Sequence, residues 1–178
     1  VAPPVTAGDA VGMDAWKTAM RAGLQREAET DCAAADAHYA EAVKIAMEAD
    51  LDAEYREAAL LCREACLIRL QRVLDAREVE GDLLHLQPEG TRRIDRPLTV
   101  AHLAYHEAVL GDGAAARRHL EDVRGLLRAD DEPVLVGEVL TCAADAAFRT
   151  GHNGAALRAA EQAVEALAGA EEEDGLLA

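Results

Sequence analysis

Apolar side chains recur along most of the chain at the spacing of an amphipathic α-helix. Ala35, Tyr39, Ala42 and Ala46 follow one another at intervals of three or four residues, which places them on one helical face. The same spacing returns in several later segments, most regularly beyond Pro97. The pattern therefore predicts an all-α protein with about seven or eight helices.

In the first half of the chain, the pattern predicts two well-bounded helices and one ambiguous stretch. The first helix is expected to begin at Asp14 and to end near Glu29, and the second to begin after Asp31. From Leu51 to about Leu74 no glycine or proline interrupts the apolar phase, so we expect the longest helix there. Residues 75–86 either prolong this helix or turn back as a shorter one, and the sequence leaves both alternatives open.

The clearest internal break lies between Gln87 and Pro97, where two prolines, one glycine and three arginines offer little to bury. Prolines suit the first turn of a helix, and glycines suit the left-handed residue that ends one. Pro133, Gly111 and Gly151 stand at such positions. The helices predicted beyond the break lie near 98–110, 113–128, 133–150 and 153–168.

Both ends of the chain differ from the periodic part. Residues 1–12 contain two prolines and two glycines and are expected to form a disordered lead-in. Residues 170–178 form an acidic tail in which four consecutive acidic groups, Glu171 to Asp174, repel one another and are expected to fray. The helical domain is accordingly expected to span residues 13–169.

Three segments, 30–43, 111–123 and 151–164, share one arrangement of small and apolar residues after a turn. The first small residue of each is Ala35, Ala116 or Ala156, so the segments lie 81 and 40 residues apart. This spacing implies a further unit near Ala76. The following apolar positions of the four units are Tyr39 and Ala42, Val79 and Leu83, Leu120 and Val123, and Ala160 and Ala163.

The arrangement resembles the second helix of a tetratricopeptide repeat, in which small residues let neighbouring helices press together. The units would be 14–50, 51–86, 97–129 and 132–169, and the spacing from one unit to the next is nearer 40 residues than the usual ~34. The resemblance implies an α-solenoid of antiparallel helix pairs, stabilised by nearest-neighbour stacking. It also implies a concave groove that holds a peptide or helix of a partner protein.

The charge of the chain bears on its partners. With 34 acidic and 18 basic residues, the formal net charge is −16, which opposes binding to nucleic acid. The charge either favours a basic partner or serves only to keep an alanine-rich surface soluble. The four cysteines form no CxxC pair, which is typical of a cytoplasmic protein. The chain has no serine, which excludes Ser–His–Asp chemistry, and no stretch is apolar for the ~18 residues that a membrane span needs.

Some residues could carry specific chemistry, but a simpler interpretation accompanies each. His102 and His106 share a helix face and could begin a metal site, yet no third ligand stands at suitable spacing. Cys62 and Cys66 share another face and suit core packing. The basic residues are concentrated in one part of the chain, at Arg92, Arg93, Arg96, Arg117, Arg118, Arg124 and Arg128. This group could dock an acidic partner or a nucleic-acid backbone, or it could form a solvated face paired with nearby acidic residues.

These observations favour a non-catalytic protein–protein interaction module without metal or cofactor, either free-standing or the regulatory part of a larger protein. An alternative is a sensor domain that closes around a small signalling molecule or short peptide, and a weaker one is an enzyme accessory protein. The sequence also leaves open whether the protein forms a homodimer. The residues predicted to line the partner groove are Trp16, Met20, His102, Tyr105, His106 and Val109.

Overall fold

The described part of the chain is all-helical, as predicted. The structure, a computed structural model, describes the backbone of residues 7–86, 95–128 and 130–175, and the side chains of 11–86, 96–128 and 130–169. Within these ranges it contains eight α-helices and no strand. The helices are α1 (Ala7–Ala28), α2 (Cys32–Glu48), α3 (Ala53–Arg69), α4 (Val73–Leu86), α5 (Asp95–Val109), α6 (Gly113–Leu126), α7 (Pro133–Arg149) and α8 (Asn153–Gly175).

The helices belong to two compact units, with the boundary between Leu86 and Gln87. In the first unit α1 packs against α2, α2 against α3, and α3 against α4. In the second unit α5 packs against α6, and α7 packs against α5, α6 and α8. The boundary between the units lies at the start of the break that the sequence predicts.

One type of turn recurs at five of the connections between the described helices. At five turns a residue with positive φ is followed by one whose N–H donates to the carbonyl five residues back, the hydrogen bond of a Schellman motif. Three of these turns use a residue other than glycine, and Gly111 and Gly151 serve the other two, as predicted. The donors and acceptors are Asp31 and Arg26, Leu51 and Ala46, Arg72 and Leu67, Asp112 and Glu107, and His152 and Ala147, at 2.8–3.0 Å.

The predicted 40-residue spacing recurs in these turns. Four of the donors, at positions 31, 72, 112 and 152, directly precede the second helix of each pair, and a small residue stands four positions later in every case. These residues, Ala35, Ala76, Ala116 and Ala156, are at most 7% exposed. The repeat inferred near Ala76 therefore has the same turn and the same buried alanine as the other repeats. Ala160, which the sequence predicts as a packed position, is exposed.

The first helix begins earlier than the sequence predicts. α1 starts at Ala7, so residues 7–12 are helical and not part of a disordered lead-in; residues 1–6 lie outside the described part. A Cβ on Gly12 would lie 2.4 Å from Cβ of Ala49. The glycine that suggested a linker thus allows α1 to pass close to the turn after α2.

Two further boundaries differ from the prediction. The stretch from Leu51 to Leu74 is not one helix: α3 ends at Arg69, and Gln71 takes a left-handed φ of 56° that turns the chain into a separate α4. At the other end, α8 continues to Gly175 through the acidic residues that were expected to fray. Alanine and glutamate are strong helix formers, and this preference outweighs the like-charge repulsion.

Polar contacts tie the first three helices together around Tyr39, which is fully buried. Its hydroxyl donates to Glu27 Oε2 at 2.8 Å, and Glu27 Oε1 lies 2.6 Å from Arg69 Nη1. Asp36, which is 6% exposed, pairs with Arg63 at 2.8 Å and with Arg72 at 3.1 Å. Each of these carboxylates therefore has two partners.

The thiols of the first unit are packed into this core. Cys66 is fully buried, and burial followed by the nearby charge of Glu27 raises its pKa to about 12; the pKa of Cys62 is raised for the same two reasons. Because the thiolate is the reactive form, we expect iodoacetamide at neutral pH to leave Cys66 unmodified in the folded protein and to modify it in urea. Peptide mapping by mass spectrometry checks this, and rapid modification of the folded chain would contradict the packing role.

Candidate binding cleft in the second unit

A cleft of about 470 Å³ lies among the last three helices, and we call it the α6–α8 cleft. Its volume falls within the ~300–1,000 Å³ range of ligand sites in proteins. Its lining residues come from α6, the residue after it, α7, the turn before α8 and α8 itself: Arg117, Leu120, Glu121, Val123, Arg124, Leu127, Leu140, Ala143, Ala147, His152, Ala155, Arg158, Ala159 and Gln162.

Local sequence fixes the helices that form the cleft. Asp112 caps α6 by accepting a hydrogen bond from the backbone N–H of Ala115 at 2.9 Å. Pro133 is the first residue of α7, where the missing N–H has no intrahelical partner to lose. Gly151, with φ of 79°, reverses the chain between α7 and α8. The ends of the lining helices are thus determined by residues close to them in sequence.

Small side chains on α7 and α8 leave the space open. Ala143 and Ala147 on α7 and Ala155 and Ala159 on α8 contribute only methyl groups to the lining. Farther along the helix pair the approach is much closer, since a Cβ on Gly137 would lie 2.5 Å from Cγ of Leu167. The cleft therefore opens beside α7 where both helices carry alanine.

The apolar part of the lining lies at the bottom of the cleft and the charged part at its edge. Val123, Ala143 and Ala147 are buried, whereas Arg117, Arg124 and the other charged lining residues are exposed. We call the exposed lining residues the rim; they are Arg117, Glu121, Arg124, His152, Arg158 and Gln162. A ligand in this cleft would meet apolar side chains with its body and charged groups with its periphery.

The rim carries three guanidinium groups and one carboxylate. Arg117, Arg124 and Arg158 form no ion pair with any described residue, although acidic residues outnumber basic ones in the chain by 34 to 18. Arg149, on the helix between them, is paired with Asp145 at 3.0 Å. The rim thus offers unpaired donors that suit carboxylate or phosphate groups.

The basic concentration predicted from the sequence lies partly on this rim. Arg117 and Arg124 line the cleft, Arg118 does not, and Arg92 and Arg93 lie outside the described residues. Among the described residues Asp122 forms no ion pair with either rim arginine of α6; its carboxylate lies 3.8 Å from Nδ1 of His119, whose pKa is lowered by burial. Arg117 and Arg124 therefore form no ion pair with a described acidic neighbour in sequence.

Sequence reasoning missed the contribution of α8. Arg158 stands 34 residues beyond Arg124 and is brought to the same cleft only by the packing of α6 and α8 on α7. The 40-residue repeat contained a signal, because Arg158 and Arg118 occupy equivalent positions. To use this equivalence, one would need to know which face of the second helix in each repeat packs against the following helix pair.

Two of the residues predicted to line a groove lie in the first unit. Trp16 is half-buried, and its ring lies 5.1 Å from that of Tyr55 in an edge-to-face arrangement. Its indole Nε1 is buried without a hydrogen-bond partner among the described residues. Met20 is 9% exposed and belongs to the same core cluster. Both residues contribute to the packing of α1 in the first unit.

The other four predicted groove residues lie on α5 in the second unit. His106 is 3% exposed and its ring lies 5.1 Å from that of Tyr105, while the guanidinium of Arg149 lies 5.3 Å above the Tyr105 ring. His102 is half-buried and Val109 is exposed. None of the six predicted residues lines the α6–α8 cleft, so the predicted groove remains a separate hypothesis.

No protein-family model matches the chain, and no curated protein has a sequence that matches it. The tetratricopeptide resemblance therefore rests on the residues of the chain alone. Across the described residues, no helix combines the length and the apolar character needed to cross a membrane.

Proposed function

We propose that the chain is a non-catalytic interaction module that holds a peptide or helical segment of a partner protein in the α6–α8 cleft. The observation that carries this proposal is the cleft itself, with an apolar base and an exposed rim whose three arginines form no ion pair with a described residue. The length of the cleft suits such a ligand. Leu140 and Ala147 stand seven residues apart on α7, which is about 10 Å at a rise of ~1.5 Å per residue. Two turns of a bound helix span the same distance.

The exposure of the rim favours a polypeptide over the alternative of a small signalling molecule. A sensor that closes around a small ligand needs an enclosed apolar pocket, because such sites bury most of the ligand surface. Here six of the fourteen lining residues are exposed. A chain segment can enter such a cleft from the side and leave at the other end.

The repeat supports the finer part of the proposal, a solenoid like that of tetratricopeptide proteins. Helix pairs with the same turn and the same buried alanine at intervals of 40 or 41 residues are the units from which such solenoids are built. In the second unit α7 lies against both helices of the preceding pair, which is the nearest-neighbour packing that stacking requires.

Selection from a random peptide library displayed on phage tests the proposed function. The library peptides should be long enough to span two helical turns. We expect wild-type protein to enrich peptides with a shared motif, and excess of one synthetic member to displace the others. The proposal would be contradicted if no motif were enriched. It would also be contradicted if the enriched peptides bound equally well to a variant such as Ala159→Trp, in which a large side chain fills the cleft.

A further inference from the structure

We propose that the occupant of the α6–α8 cleft is an amphipathic segment with carboxylates beside its apolar face, that is, an acidic segment of a partner protein. This inference rests on the proposed function and adds the chemistry of the ligand. It differs from the expectation drawn from the net charge, which favoured a basic partner.

The positions of the arginines on two helices carry the inference. Arg117 and Arg124 stand seven residues apart on α6, about 10 Å along its axis, and Arg158 stands on α8. A segment lying in the cleft therefore meets guanidinium groups on both sides, with Glu121 as the single carboxylate on the rim. Each guanidinium can donate two parallel hydrogen bonds to a carboxylate, and none of the three is engaged by a described residue.

The base of the cleft requires an apolar face on the same ligand. Leu140, Ala143 and Ala147 follow one another on α7 at helical spacing and offer no charge, and Leu120 and Leu127 add apolar surface from the side of α6. A purely polar anion would leave this surface in contact with water. A segment with apolar residues at every third or fourth position covers it and places its flanking carboxylates at the rim.

The net charge of −16 does not prevent this interaction at close range. Charges farther from the ligand than about 8 Å are largely screened at physiological ionic strength. The residues that line the cleft carry three guanidinium groups and one carboxylate, so the charges nearest to a bound segment are mostly positive. The overall charge slows the approach of an acidic segment, whereas the rim determines its affinity once it is bound.

Matched peptides test the charge of the ligand. The strongest peptide from the selection is synthesised in three forms: as selected, with each Asp and Glu replaced by Asn and Gln, and with each replaced by Lys. We expect the selected peptides to be acidic. The amide form should bind about tenfold more weakly, because a loss of this size corresponds to one charge-assisted hydrogen bond. The Lys form should bind more weakly still. Fluorescence anisotropy measures the three affinities.

Charge reversal on the protein gives a matched control. Arg124→Glu and Arg158→Glu should each weaken the acidic peptide about tenfold. Arg118→Glu changes the net charge equally on the same helix but lies off the cleft, so it should change the affinity less than twofold. In the double variant of Arg124 and Arg158 to Glu, the Lys form of the peptide should bind better than the acidic form.

The outcomes separate this inference from the proposed function. Selected peptides that are neutral or basic, or an equal effect of Arg118→Glu and Arg124→Glu, would overturn the acidic ligand and leave the cleft as a peptide site. Oligothymidylate and dodecanoate serve as competitors for the bound peptide. If either one displaces the labelled peptide at a lower concentration than unlabelled peptide does, the rim binds a phosphate chain or a small amphiphile instead. Enrichment of no cleft-dependent peptide would overturn the proposed function and, with it, the inference.

Discussion

Replacing Ala159 by Trp should lower the affinity for a cleft-binding peptide by at least about 30-fold, the effect of losing a binding hot spot of ~2 kcal/mol. Ala159 lines the cleft from α8 and is half-buried, so an indole at this position occupies the space that the ligand needs. Because the side chain is partly exposed, the larger ring can be accommodated without entering the core between α7 and α8. Isothermal titration calorimetry with a selected peptide measures the loss.

The neighbouring position provides the control. Ala160 is exposed and does not line the cleft, so Ala160→Trp adds the same side chain to the same helix without filling the site. We expect it to change the affinity less than twofold, with similar thermal unfolding of both variants. Equal weakening by both substitutions would mean that the peptide binds elsewhere on α8, and no weakening by Ala159→Trp would remove the cleft from the account.

Replacing Gly23 by Ala should destabilise the first unit by roughly 1–2 kcal/mol, even though alanine is the better helix former. A Cβ on Gly23 would lie 2.4 Å from Cε1 and 2.7 Å from Cδ1 of Tyr39. The ring cannot move away easily, because it is fully buried and its hydroxyl donates to Glu27 on the same helix as the glycine. The overpacking therefore exceeds the ~1 kcal/mol gained in helix propensity.

Gly81 in the same unit should respond in the opposite direction. It lies within α4, and an added Cβ would meet no other atom within 4 Å. Gly81→Ala is expected to stabilise the unit by about 0.5–1 kcal/mol, since alanine restricts the unfolded chain and favours the helix. Urea unfolding followed by circular dichroism measures both variants. A gain in stability for Gly23→Ala would contradict the close packing of α1 on Tyr39.

The elements of the second unit could be predicted closely because each boundary has a local chemical cause. Pro133, Gly111 and Gly151 stand where they start or end helices, and the predicted helices differ from the observed ones mainly by a few residues at their ends. The turn at Gln71 could not be predicted in the same way. Its left-handed φ of 56° falls on a glutamine, a residue type without that preference, and the turn is closed by the hydrogen bond from the N–H of Arg72 to the carbonyl of Leu67.

The site could be predicted only in part. The concentration of arginine on α6 was visible in the sequence, but its meaning depends on which side chains α7 and α8 place opposite it. The aromatic residues predicted as groove anchors lie at positions that fit two roles. Trp16 and Tyr105 occur at helical spacing, and periodicity alone does not distinguish a residue packed between helices from one that faces a ligand.

Mapping the amide chemical shifts of the protein while a selected peptide is added tests the central claim most directly. We predict that the shifts change along the three lining segments, 117–127, 140–147 and 152–162, and that α1 and the His102 to Val109 face of α5 are little affected. Changes confined to the residues around Trp16 and Met20 or to that face of α5 would contradict the α6–α8 cleft as the binding site and favour the groove suggested by the sequence.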